Sequence, residues 1–167
     1  MKKIIFIFLL LISFSLTAQN IFWEQVGLKV NQGSSNFVLE LVEGFYTSIE
    51  KPEGVAISLD AVMFKPEGYE ATHFLTFAGS AEDLAKLREL RSGSVYMQYN
   101  QNMLKFSKIT SITSGSTLMR MNLDKGNYPI AQLWQWNVKD PEVFMNEFIS
   151  LSRSFPQEGY LSIGRIS

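Results

Sequence analysis

The chain of 167 residues carries 15 basic and 16 acidic side chains, one histidine and no cysteine. The missing thiols exclude disulfides, thiolate metal ligation and a lipid-modified N-terminal cysteine. A near-neutral charge without a basic cluster argues against nucleic-acid binding and against adhesion to anionic lipid.

Met1-Lys2-Lys3 precedes an apolar run, Ile4 to Phe14, that is too short to span a bilayer, and Ser15-Leu16-Thr17-Ala18-Gln19 follows it. This order of basic, apolar and small residues predicts a cleavable signal peptide over 1–18, with Gln19 as the first mature residue. The expected location is the periplasm or the medium, with no stable membrane insertion after cleavage. Loss of Lys2 and Lys3 leaves 13 cations against 16 anions, a mature charge of −3. Apolar residues run through the remaining 19–167, which predicts one α+β domain with its own core.

Ile21 to Val30 alternates, with Phe22, Val26, Leu28 and Val30 on one face and Trp23 on the other, and predicts the first strand. Asn31 to Ser35 breaks the period and supplies serines to cap a helix whose apolar stripe is Phe37, Val38, Leu41, Val42, Phe45, Tyr46 and Ile49. Val55–Phe64 and Thr72–Ala78, joined by Lys65-Pro66-Glu67-Gly68-Tyr69-Glu70, predict a central β-hairpin. Ser80 with Asp83 three residues on caps a second helix bearing Leu84, Leu87 and Leu90, which Ser92-Gly93-Ser94 splits from a stripe of Val95, Tyr99, Met103 and Phe106. The Ser- and Thr-rich stretch 107–117 reads as a loop leading into a strand over Leu118–Leu123. Asp124-Lys125-Gly126-Asn127 then turns the chain toward a further strand, Ile130–Val138. Asp140-Pro141-Glu142 starts the last helix, Pro156 and Gly159 stop it, and Tyr160–Ile166 closes the chain as a strand.

These elements predict three βαβ units forming an antiparallel sheet covered by helices. Over residues 21 to 123 the order resembles the ferredoxin-like βαββαβ arrangement, and within it the dimeric α+β-barrel group, which includes cofactor-independent monooxygenases. The resemblance implies pairing of two copies through the open sheet face, or a ligand cavity there.

Several residues are candidates for chemistry. His73 is the sole imidazole, and if Val62 lies opposite it Asp60 is a diagonal neighbour able to orient it as a general base. Glu24 falls between Phe22 and Val26 on an apolar face, where a carboxyl is expected to have a raised pKa. Gln132, Trp134 and Trp136 share one face of the predicted fifth strand and suit a flat or apolar ligand, with Trp23 available to the same surface. Arg120 suits a ligand carboxylate. No phosphate-binding glycine spacing, paired metal ligands or nucleophile elbow occurs, so no cofactor and no metal are expected. The leading reading is an exported, soluble protein that binds a small apolar or aromatic ligand or self-associates as a homodimer. The alternatives are a cofactor-independent, monooxygenase-like enzyme using His73, or a structural interaction module.

Overall fold

A computed structural model describes residues 20–122, 130–155 and 159–167. The signal segment 1–18 and its cleavage site, the turn at Asp124–Asn127 and the helix stop at Pro156 lie outside the described residues. Among the described residues nine elements follow in the order β1 (Phe22–Val30), α1 (Ser35–Ser48), β2 (Ala56–Ala61), β3 (His73–Gly79), α2 (Ala81–Leu90), α3 (Gly93–Phe106), β4 (Ser107–Met121), α4 (Pro141–Ser154) and β5 (Leu161–Ile166). The sheet order is β2-β3-β1-β4-β5. β4 and β5 are neighbours, but because β3 pairs antiparallel with both β1 and β2, and β1 antiparallel with β4, the β1–β2 and β3–β4 crossovers are each split by a strand between their two ends. That is the ferredoxin-like arrangement. Within 19–167 the chain forms two compact units, one of residues up to 116 with 166–167 and one of 117–165.

The first unit is built on alternation. Residue pairs across the sheet put Leu59, Leu75, Val26 and Ile112 in one row and Ile57, Phe77, Glu24 and Ser114 in the next. These rows face the helices. Val38, Val42, Phe45 and Tyr46 of α1, Leu84 and Leu87 of α2, and Tyr99 and Met103 of α3 are buried in one cluster with Leu28, Val30, Leu75 and Phe77. The aromatic members interlock, with Phe45 stacked on Tyr99 at 4.4 Å and Tyr46 tilted against Phe77 at 5.4 Å between centroids. Leu90, expected in the α2 stripe, is 40% exposed, as is fitting for the last residue of a helix that ends there.

Helix ends follow the local chemistry. The Ser80 hydroxyl accepts from the Asp83 backbone N–H at 3.0 Å, which satisfies an otherwise orphan donor. Asp140 does the same for Val143 at 3.1 Å, with Pro141 in the first turn. At the α2–α3 junction Gly93 adopts φ +76°, a conformation that resists side chains, and the expected split falls there. Ser34 occupies the N-cap position of α1, but its side chain makes no capping bond.

Three expectations are corrected. The Ser- and Thr-rich stretch is not a loop; it is the first part of a single strand of 15 residues. Thr and Ile favour extended backbone, and β1 pairs with this stretch from Ser107 to Ser116. Ile130–Val138 forms no strand, because alternation alone supplies no partner and it pairs with none of the five strands of the sheet. The third βαβ unit therefore has no separate first strand.

In the second unit, the last residues of β4 and all of β5 but its final residue accompany α4, whose Phe144, Met145, Phe148 and Ile149 are half-buried. Among the described residues no helix is long and apolar enough to cross a membrane.

Candidate functional site

Glu24 stands on the helix-facing side of β1, as its alternation requires, but not alone. Arg88 and Arg91, one turn apart on α2 and at its end, both donate to it: Arg91 Nη2 reaches Oε2 at 2.8 Å and Arg88 Nη2 bonds Oε1. The Arg91 guanidinium also lies 4.6 Å above the Phe77 ring, the cross-strand neighbour of Glu24. Burial alone would raise the Glu24 pKa; the hydrogen bonds and charges of Arg91 and Arg88 outweigh it and hold the carboxyl below its ordinary range. The expected raised pKa is thus overturned. Glu24 is an ionised anchor that ties α2 to β1.

Beside Arg91 lies a tyrosine cluster. Burial pushes the Tyr46 hydroxyl up to about 12 against the pull of Arg91, and burial raises Tyr99 further. The buried Tyr99 hydroxyl makes no well-formed hydrogen bond among the described residues and interacts with the neighbouring Tyr46 hydroxyl. Both rings act as neutral packing at physiological pH.

His73 lies on the helix-facing side of β3 with Leu75 and Phe77, but its cross-strand partner on β2 is Ala61, one residue from the expected Val62. Asp60 therefore pairs with Phe74 and lies on the opposite face, where it accepts a hydrogen bond from Ser58 at 2.7 Å. A one-residue slip in register moves every side chain to the other face. The predicted Asp60–His73 dyad does not form. His73 Nδ1 instead lies 3.0 Å from the Thr72 hydroxyl, and burial lowers its pKa from the ordinary histidine value.

Among the described residues no group of three metal-ligating side chains comes together. Trp134 and Trp136 belong to the second unit, in irregular chain rather than a strand. Their rings nonetheless stack in parallel, 6° between planes and 6.4 Å between centroids, while Phe144 and Phe148 of α4 contact Trp136 at 5.7 and 6.2 Å. Trp134 is 66% and Trp136 51% exposed, a large aromatic surface left in water. Gln132 is exposed in the same stretch, and Arg120 is exposed on β4. Trp23 belongs to the first unit, on the face of the sheet turned away from the helices, in a row with Ala56, Ala78 and Gly115.

On that same face lies a feature the sequence reasoning missed. Gly27 pairs with Ser111 but Leu28 pairs with Ile109, so Thr110 is the extra residue of a β-bulge. A Cβ at position 27 would collide with the Ser111 hydroxyl and come within 2.9 Å of Thr110 Oγ1, so two successive hydroxyls converge on one glycine. Thr110 Oγ1 is buried with no hydrogen-bond partner among the described residues. An open cleft of about 230 Å³ adjoins it, lined by Gly68, Tyr69, Glu70, Ala71, Thr110 and Ser111. Lys29 Nζ pairs with Glu70 at 2.8 Å, and the Lys29 hydrogen bond and charge, with Lys108 and Lys65 nearby, keep the Glu70 carboxyl below its ordinary pKa. The only sequence signal was the density of Ser and Thr after Ser107, which suits a loop equally well.

No family model matches the chain, and no curated protein matches it in sequence. The chain is similar, at low identity, to several solved structures. An uncharacterized NIPSNAP-like domain protein from Burkholderia xenovorans is 16% identical, with a TM-score of 0.45 over 74% of this chain and 97% of that one. SnoaB, a cofactor-independent oxygenase from Streptomyces nogalater, is 8% identical with a TM-score of 0.38 over 64% and 98%. A dabb family protein with a ferredoxin-like fold from Mesorhizobium loti is 6% identical with a TM-score of 0.39 over 59% and 95%. The fold assignment stands on the chain's own strand order, and these low identities transfer no activity.

Proposed function

We propose that the chain is an exported binding protein that receives a flat apolar or aromatic molecule on the Trp134–Trp136 surface. The observation that carries this reading is the parallel indole stack, more than half exposed and backed by Phe144 and Phe148. Exposed aromatic faces offer a ligand both apolar area and stacking geometry at little conformational cost. Export rests on the basic and apolar order of residues 1–18.

The test is a fluorescence titration of the mature protein with 2-naphthol. The expected result is saturable quenching that Trp134→Ala and Trp136→Ala each weaken roughly tenfold, about 1.4 kcal/mol, and that His73→Ala leaves unchanged. An affinity indifferent to both tryptophans would end the proposal. Native mass spectrometry of the same sample reads whether the chain begins at Gln19. It also reads a second arrangement, two copies paired through the helix-free face of the first unit, which is favoured by the half-buried Trp23 and Gln25 on that face. Enzyme action by His73 has less support, because no carboxylate among the described residues bonds it.

A further inference from the structure

The bulge cleft has properties that packing does not explain. Lys29 and Lys108 stand directly opposite each other on β1 and β4, and like charges so placed repel. Glu70 offsets one of them. Lys65 adds a third cation beside the cleft, its Nζ 3.5 Å from the carbonyl oxygen of the lining residue Ala71. Three cations act on the one carboxylate that lines the cleft, which leaves its surroundings positive. Beneath them the bulge turns Thr110 and Ser111 toward the same glycine, whereas regular alternation would send successive side chains to opposite faces. One of those hydroxyls is buried and unpartnered, a state that costs stability unless something else accepts its proton. The Tyr69 ring, 6.3 Å from Phe74, gives the rim an apolar side.

We infer that this cleft binds an oxyanion, the carboxylate or phosphate group of a small molecule, through the Thr110 and Ser111 hydroxyls with Lys29, Lys65 and Lys108 supplying the charge. An oxyanion answers both local misfits at once: it accepts the orphan hydroxyl proton once the Thr110 side chain turns toward the cleft, and it relieves the lysine repulsion. A neutral ligand answers only the first. The cleft is large enough for one small acid, with the tyrosine ring bordering any apolar part.

The experiment is a titration of the full mature chain at low ionic strength, followed by backbone amide NMR shifts, with inorganic phosphate and separately with benzoate. Saturable shifts at residues 27, 70, 71, 110 and 111 are expected with at least one probe. Tighter phosphate binding assigns a phosphoryl ligand, and tighter benzoate binding assigns an aromatic carboxylate. Lys108→Gln and Thr110→Val should each weaken binding about fivefold or more. Lys86→Gln, which removes an equal charge on exposed α2, should leave it within twofold. Non-saturable shifts with both probes would overturn the site, as would equal weakening by Lys86→Gln and Lys108→Gln, which would mark a diffuse charge effect. Binding unchanged in Thr110→Val would show that the hydroxyl serves only water. Should Thr110→Val fail to fold, the Lys108 and Lys86 pair still decides the matter.

Discussion

Phe77→Ala is expected to destabilise the protein by about 3 to 5 kcal/mol, the range for deleting a large buried aromatic. Phe77 is 1% exposed on a strand flanked on both sides, and its ring touches Tyr46 while carrying the Arg91 guanidinium. Removing it opens a cavity and strips Arg91 of one of its interior partners. Against a typical total of roughly 5 to 15 kcal/mol, the variant should lie near its folding threshold. Urea unfolding followed by far-UV circular dichroism measures the loss. A cost below roughly 1.5 kcal/mol, the level of a surface or easily repacked site, would show that the ring does not hold this core together.

Glu24→Gln is expected to cost about 2 to 3 kcal/mol at pH 7. Breaking a well-buried ion pair leaves the other charge stranded, and the partial exposure of this one reduces the usual penalty. Arg91, 12% exposed, is the stranded partner; Arg88, 65% exposed, can turn to water. The pH dependence has a definite sign. The folded-state pKa of Glu24 lies below 4.5, so its stabilisation is complete above pH 4.5 and is lost as pH falls through the lowered folded value. Wild type should therefore lose stability across that acidic window by an amount that Glu24→Gln does not show. Parallel stability–pH curves for the two proteins below pH 4.5 would refute the anchoring role.

Much of the fold was legible because its boundaries depend on local chemistry. Ser80 with Asp83, Asp140 with Pro141, and the glycine at 93 mark helix ends through hydrogen bonds and backbone angles that a few residues determine. The alternation of strands and helices was likewise visible in the periodicity of the elements, while the splitting of the crossovers entered only through the resemblance to the ferredoxin-like arrangement. The site was less legible, because its geometry depends on register. A hairpin shifted by one residue was enough to part Asp60 from His73, and nothing within Val55–Ala78 specifies that pairing apart from the packing it achieves. Glu24 looked like an isolated carboxyl because its partners lie 64 and 67 residues later, on a helix read only for its leucines. Trp134 and Trp136 were identified from alternation, yet they meet in irregular chain, so residue type was informative where the period was not.

The bulge at Thr110 also works as a change of phase. Before it, Ser107 and Ile109 align with Val30 and Leu28; after it, Ile112 and Ser114 align with Val26 and Glu24, so odd positions hand over to even ones. A one-residue change of chain length at this point acts on side chains as a frameshift acts on codons, leaving each residue's identity intact while reversing which surface it serves. Descendants of this chain are thus free to exchange residues along the strand, but they can gain or lose one there only if the pattern on one side is rewritten to match.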